Sequence, residues 1–331
     1  MQGFSFTAPS VVDRTDRVGN VLRIAYLGPE GTFTEAALLQ MVAAGLVPGS
    51  PGIATGDAGF AAVRTDTTPG ALTAVRDGAA DYACVPIENS IEGSVLPTMD
   101  SLAAGSPLQI YAELTLDVAF TIVTRPGHLG PIRTVAAFPV ALAQVSRWLS
   151  ANFPAAEVVA TTSNAAAAHD VAEGRADAGV STRLAAQRCG LDVLADDVVD
   201  EANARTRFVL VGRPGSPPPA TGADRTSVVL RLDNVPGALV SAMTELSIRD
   251  IDLTRIESRP TRTELGTYLF FLDCVGHIDD DSVAEALKAL FRRCADVRYL
   301  GSWPTGSATG ALPPPLDEAT QWLTRLRKGM A

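Results

Sequence analysis

Lysine, histidine and cysteine are scarce in this chain of 331 residues. The only lysines are Lys288 and Lys328; the histidines are His128, His169 and His277; the cysteines are Cys84, Cys189, Cys274 and Cys294. No Cys-x-x-Cys or His-x-x-x-His spacing occurs among them, so the sequence offers no metal site. No histidine has an obvious nucleophile to pair with, which leaves Ser-His-Asp and Cys-His chemistry without support. The four scattered cysteines are expected to behave as small buried apolar side chains in a reducing compartment. Residues 1–20 hold no apolar run of signal-peptide length, and no charge-free stretch is long enough to span a bilayer. A cytoplasmic protein without a membrane partner is therefore expected. Basic charge is in deficit too: 27 Lys and Arg stand against 37 Asp and Glu, a net charge of −10. That argues against nucleic acid as a partner, because phosphate contacts need a basic face. The glycines form neither a GxGxxG nor a Walker loop, so no nucleotide cofactor is expected, and nothing else points to another cofactor.

What is present describes a globular protein of more than one domain: 47% apolar, 19% charged, and long for a single core. Residues 21–27 read as a buried strand, followed by the turn Gly28-Pro29-Glu30-Gly31 and an Ala/Leu-rich helix opened by Thr32 and Glu35 in a capping-box pattern. A helix near 70–77, a strand over 82–87 and a helix over 96–103 follow, and this alternation implies an α/β layer with a mostly parallel sheet. Residues 110–124 read as strands leaving one sheet and entering another. A second αβ set spans 134–181. Val75-Arg76-Asp77-Gly78-Ala79-Ala80-Asp81-Tyr82-Ala83 aligns with Val171-Ala172-Glu173-Gly174-Arg175-Ala176-Asp177-Ala178-Gly179, each a helix end, a Gly cap, an Asp and a strand, as two similar lobes around a cleft would require. Residues 193–212 are expected to return to the first lobe, which puts Asn203-Ala204-Arg205-Thr206-Arg207-Phe208 at the seam. A Pro-rich linker over 213–224 leads to a βαββαβ order, the pattern of a ferredoxin-like module. Beyond residue 302 lies a Pro/Gly-rich tail with a short amphipathic helix near 316–326 that places Trp322 and Leu326 on one face.

Three turns, Gly28–Thr34, 88–94 and 162–164, offer backbone N–H groups at an expected helix start, fit either to bind an anion or simply to be capped. The chemistry must rest on hydroxyl, amide and guanidinium groups. These orient an anionic substrate and donate hydrogen bonds to a departing oxygen, but they do not supply a strong base.

The motifs Gly28-Pro29-Glu30-Gly31-Thr32-Phe33-Thr34-Glu35, Asp81 through Ser94 with Glu88-Asn89-Ser90 at its centre, and Thr206-Arg207-Phe208 together resemble the prephenate dehydratase family. The segment after the linker resembles an ACT regulatory domain, with Gly237-Ala238-Leu239-Val240 and Glu257-Ser258-Arg259-Pro260. The resemblance covers about residues 22–302. It implies a two-lobed catalytic domain like the periplasmic binding proteins, with an interlobe cleft: lobe 1 over about 22–106 and 190–212, lobe 2 over about 107–189, then linker, ACT domain over 225–302 and tail over 303–331.

The resemblance also implies the reaction, prephenate to phenylpyruvate, water and carbon dioxide, and places the essential threonine at Thr206. It makes Thr32, Phe33, Thr34, Glu88, Asn89, Ser90, Ser94, Ser163, Asn164, Arg207 and Phe208 the substrate-binding set, although Phe208 reads better as core. It assigns Asn234, Gly237, Ala238, Leu239, Val240, Glu257, Ser258, Arg259 and Pro260 to an allosteric phenylalanine site in a homodimer or homotetramer. Some members carry a chorismate mutase domain ahead of the dehydratase; some 20 leading residues are too few for one, so a monofunctional enzyme is expected. Two alternatives stand beside it: arogenate as the substrate, or a two-lobed small-molecule binding protein with an ACT sensor and no turnover.

Overall fold

The computed structural model describes residues 21–49, 59–201, 204–262, 266–306 and 317–330. The leader, Asn203 and much of the tail, all of which figured in the expectations above, lie outside them. None of the helices in the described residues is long and apolar enough to cross a membrane.

The chain begins with β1 (Leu22–Leu27), α1 (Phe33–Ala43), β2 (Phe60–Thr65), α2 (Thr68–Arg76), β3 (Tyr82–Asn89), β4 (Gly93–Ser94), α3 (Leu96–Ala103) and β5 (Gln109–Asp117). It continues with β6 (Phe120–Thr124), β7 (Thr134–Ala137), α4 (Pro139–Asn152), β8 (Glu157–Ala160), α5 (Asn164–Ala172), β9 (Ala178–Ser181), α6 (Arg183–Arg188) and β10 (Asp192–Val198), then returns through β11 (Arg205–Gly212). The first sheet runs β2-β1-β3-β11-β5 with β4 on β3, and the second runs β10-β6-β9-β7-β8. Each sheet mixes parallel βαβ pairs with antiparallel neighbours: β1 is parallel to β2 and β3, and β7 to β8 and β9, whereas β11 is antiparallel to both its partners.

These pairings move two boundaries. β5 belongs to the first sheet and β10 to the second, so the chain enters the second lobe after Asp117 and leaves it after Ala204, not near 107 and 190. The apolar content of both strands suits either sheet; only the pairing decides.

The internal repeat is structural. Gly78 (φ 74°) and Gly174 (φ 78°) follow the ends of α2 and α5 in the left-handed region. Three residues later comes an aspartate with the same duty in each lobe. Asp81 Oδ2 accepts from the Arg23 amide of β1 at 2.9 Å, and Asp177 Oδ2 accepts from the amides of Arg133 and Thr134, leading into β7, at 2.9 and 3.0 Å. Each aspartate ties the start of a central strand to its parallel neighbour.

After the linker come β12 (Asp224–Arg231), α7 (Ala238–Ser247), β13 (Leu253–Pro260), β14 (Tyr268–Val275), α8 (Asp281–Arg293) and β15 (Asp296–Pro304), the expected βαββαβ order in a sheet β13-β14-β12-β15. α9 (Asp317–Arg327) lies in the tail, with Trp322 and Leu326 exposed. One face of this third sheet packs on the first. Val229, Phe271, Leu300 and Trp303 share a core with Val85, Ile87, Ile110 and Val209. Trp303 is therefore not tail: it is 1% exposed and lies within β15. At Gly301, with φ 136°, a Cβ would stand 2.3 Å from the Ile110 carbonyl oxygen, so only glycine permits β15 to lie this close to β5. The Arg298 guanidinium adds donors to the carbonyls of Leu102, Ala104 and Gly105 at the end of α3, where the helix dipole favours a cation.

All four cysteines are free. Cys84 and Cys274 are buried as expected, whereas Cys189 and Cys294 are only partly so. Burial pushes the Cys84 thiol well up, and that of Cys274 to about 12, so neither is a nucleophile at neutral pH.

Candidate active site

Thr206 and Asn89 are 117 residues apart in sequence and directly opposite each other across β11 and β3. Their meeting depends on a bulge. Along β3, Val85 faces Val209 and Pro86 faces Phe208, but then Glu88 faces Arg207 and Asn89 faces Thr206, so Ile87 is the extra residue. Without it the alternation of side chains would put Asn89 and Thr206 on opposite faces; the bulge re-aims Asn89.

The pair is held firmly. Asn89 Nδ2 donates to Thr206 Oγ1 at 2.9 Å, while Asn89 Oδ1 accepts from the amides of Ile91 and Glu92 at 2.8 and 3.1 Å. Those two amides demand the carboxamide oxygen, which fixes the NH2 toward Thr206. Beside them the Ser90 amide donates to the Arg205 carbonyl, and Ser90 Oγ accepts from the Arg205 amide, both at 2.8 Å. Thr206 is 9% exposed. Its oxygen accepts from Asn89, and the hydroxyl keeps one proton to donate. It stands two residues beyond Ala204, which packs in the core of the second lobe, so the hydroxyl is at the crossing between lobes.

Arg207 and Glu88 face the other way, which corrects their assignment to the substrate. Arg207 is buried and joined to Glu88 at 2.9 Å, Glu113 at 3.2 Å and, from the ACT module, Asp273 at 2.9 Å. Arg225 reaches Glu113 at 2.6 Å and Arg255 reaches Asp273 at 2.9 Å. Burial by itself would raise the Asp273 carboxyl, but the guanidiniums of Arg255 and Arg207 hold it well below the usual carboxylate range. For Arg207, burial opposes the charge, and Asp273, Glu113 and Glu88 more than restore it. Glu113 and Asp273 were absent from the sequence-based set; a buried acid in the middle of a β-rich run is the signal that marks them.

Other expected residues also serve the framework. The capping box at α1 is shifted: Thr32 Oγ1 accepts from the Glu35 amide at 3.4 Å, but the Glu35 carboxylate takes the Gly31 amide at 2.6 Å. At this helix start the Gly31 and Glu35 amides are therefore engaged within the turn itself. Residues 90–94 are not a helix start; they close the β3–β4 hairpin, and three of their amides are already engaged. Ser94 Oγ donates to Glu257 of the ACT module at 3.1 Å. Ser163 Oγ caps α5 through the Ala166 amide at 3.0 Å. The buried Asn164 Oδ1 has no hydrogen-bond partner. Phe208 is 2% exposed and packs in the core beneath α1.

Phe33 sits at the seam between lobes, its ring edge-on to Phe120 with centroids 5.7 Å apart. The same seam is latched by Thr182 Oγ1 donating to the Gly31 carbonyl and by Arg188, whose guanidinium reaches Glu30 and the buried Glu35, both at 2.6 Å.

In the ACT module the two expected motifs separate. Gly237 (φ 80°) precedes α7, and a cavity of about 280 Å³ is lined by residues including Asp233, Gly237, Ala238 and Arg293. A second, about 130 Å³, is lined by Asn234, Ala238, Leu239, Tyr268 and Phe270 among others. Ser258 and Pro260 pair with Phe270 and Tyr268 on that side of the sheet. Glu257 and Arg259 point to the first lobe, to Ser94 and Asp100. Val240 is 69% exposed on α7.

The family model described as prephenate dehydratase matches residues 24–216, and that of the ACT domain matches residues 226–292. A prephenate dehydratase of Mycolicibacterium smegmatis is 82% identical over 307 residues, 93% of this chain and 98% of its own. One from Mycobacterium tuberculosis is 68% identical over 310 residues, 93% of this chain and 95% of its own. The crystal structure of an Arthrobacter aurescens prephenate dehydratase in complex with L-Phe superposes with a TM-score of 0.80 at 38% identity, covering 93% of this chain and all of that one. With its hydroxyl at the crossing of two lobes and an ACT module on one of them, the chain belongs to the prephenate dehydratase family.

Proposed function

We propose that this enzyme converts prephenate to phenylpyruvate, with Thr206 donating its hydroxyl proton as a hydrogen bond to the departing ring hydroxyl, and that phenylalanine held in the ACT module lowers the rate. The reaction needs little from the protein beyond geometry. As the ring carboxylate leaves as carbon dioxide, its bonding electrons enter the ring and expel the hydroxyl, which takes up a proton as water; aromatisation drives the step. The observation that carries this reading is the Asn89–Thr206 hydrogen bond, which fills one lone pair of the Thr206 hydroxyl and suits it to donate its proton to the leaving oxygen. Asn164, with its unpartnered amide oxygen, is suited to accept from a substrate hydroxyl. The L-Phe complex of the Arthrobacter aurescens protein supports the regulatory half. Asn234, Gly237, Ala238, Leu239, Ser258 and Pro260 are the residues we assign to the effector side. Exposed Val235, Val240, Ile248 and Ile256 suit an interface with a second ACT module in a dimer or tetramer.

The test is incubation of the full chain with prephenate, following phenylpyruvate with and without phenylalanine. Turnover suppressed by phenylalanine is expected. Turnover of arogenate in place of prephenate would replace the substrate, and no turnover of either would replace the enzyme with a binding protein.

A further inference from the structure

Besides the shared apolar core, the ACT module makes polar contacts close to the Asn89–Thr206 pair on β11 and on the β3–β4 hairpin. On β11 the contact is Arg207, adjoining Thr206 and bonded to Asp273 at 2.9 Å. On the β3–β4 hairpin the contact is Ser94, which pairs with Glu88 while Gly93 pairs with Asn89, and whose hydroxyl reaches Glu257 at 3.1 Å. The two halves of the buried ion cluster are complementary. The catalytic lobe supplies Glu88, Glu113 and Arg207, one net negative charge; the ACT module supplies Arg225, Arg255 and Asp273, one net positive charge. Neither set is neutral alone, so removing one partner leaves an uncompensated charge at the interface. β13 is the lever in this arrangement. Its residues alternate between Ser258 and Pro260, paired with Phe270 and Tyr268 that line the smaller cavity, and Glu257 and Arg259, which engage the catalytic lobe.

We propose that Arg207 and Ser94 are positioning residues through which the ACT module sets the geometry of Thr206 and Asn89. This rests on the assignment of turnover to Thr206 and of phenylalanine to the ACT module. Thr206 must point its proton at a leaving oxygen within tenths of an ångström, and a misplacement of 1 Å costs on the order of 10²-fold in rate. A small shift of β13 and β14 is passed to β11 through Arg207 and to the hairpin through Ser94, moving two strands that meet at one hydrogen bond.

The test uses the full chain as wild type, Ser94→Ala, Asp273→Asn and Arg207→Lys, with kcat and KM for prephenate measured at zero and saturating phenylalanine, and phenylalanine binding followed by calorimetry. In Ser94→Ala, phenylalanine is expected to bind as in wild type while the factor by which it lowers turnover shrinks by roughly fivefold, the worth of one hydrogen bond. Its kcat without effector falls while KM stays near the wild-type value. Asp273→Asn is expected to show a larger loss of the same kind, and Arg207→Lys to keep the fold without restoring the coupling, because an ammonium cannot reproduce the guanidinium fork. Should Asp273→Asn fail to fold, Ser94→Ala decides by itself, since it removes one bond from a hairpin. Wild-type inhibition and wild-type kcat in Ser94→Ala would overturn the proposal. If wild type turns over but ignores phenylalanine, the regulatory reading above fails, and the kcat of Ser94→Ala still decides whether the ACT module positions the site.

Discussion

Each lobe is built from the same piece. In the first, α2 ends at Gly78 and Asp81 ties β3 to β1; in the second, α5 ends at Gly174 and Asp177 ties β9 to β7. The two differ in what is laid on this frame. The first sheet receives β11 between β3 and β5, a strand that arrives from the other lobe, and its far side receives the ACT sheet. The second sheet likewise takes β6, which arrives from the first lobe, between β9 and β10, but among the described residues no third sheet packs on it. The duplicated frame is thus told apart by what its crossing strand carries: the two faces of β11 hold Thr206 toward the crossing between lobes and Arg207 toward the ACT module.

The comparison breaks most completely at that strand. Thr206→Ala is expected to lower kcat by about 10²–10⁴-fold with the melting temperature unchanged, because general-acid assistance of this kind is worth that much; steady-state kinetics and a thermal scan check it. A full-rate variant would remove Thr206 from the mechanism.

Next in size is the docking face that only the first lobe has. Gly301→Ala forces a side chain against the Ile110 carbonyl in a backbone region that alanine disfavours. It is expected to cost about 2–4 kcal/mol, read as a lowered denaturant midpoint together with loss of the response to phenylalanine. The corresponding insult in the second lobe has no reason to touch that response.

The smallest effects test the shared frame. Asp81→Asn and Asp177→Asn are each expected to cost about 1 kcal/mol, the net worth of a hydrogen bond to the neighbouring strand. The amides of Arg133 and Thr134 hold the Asp177 carboxyl below its ordinary value. A carboxyl lowered in the folded state contributes stability in full above its unfolded pKa, about 3.9, and loses it as the pH falls through the folded value. The gap between wild type and Asp177→Asn should therefore be constant at neutral pH and close below about pH 4, as denaturant titrations at several pH values will report.

Much of this frame is legible in the residues. Gly-x-x-Asp after a helix names both turns, Leu96–Ala103 is the helix its pattern predicts, and the βαββαβ order is plain after the linker. β2 escapes notice because its burial is broken by exposed positions, as an edge strand allows. The site is half legible. Asn89, Ser90 and Thr206 stand together, but Glu88 and Arg207, their sequence neighbours, turn to the opposite face. One bulge at Ile87 decides this, and no spacing rule announces a bulge. Glu113 and Asp273 are hidden for a related reason: each buried acid is explained by guanidiniums that reach it from both modules.

The late arrival of β11 also has a consequence for synthesis. The strand fills a slot between β3 and β5, and the Asn89–Thr206 bond closes a loop of 117 residues that includes the entire second lobe. Contacts of such long range form slowly, because chain entropy must be surrendered before they reward it. On the ribosome the first sheet must therefore wait, with two strand edges open, until the second lobe has emerged. The residues that complete it are followed at once by the linker and by the module that will grip them.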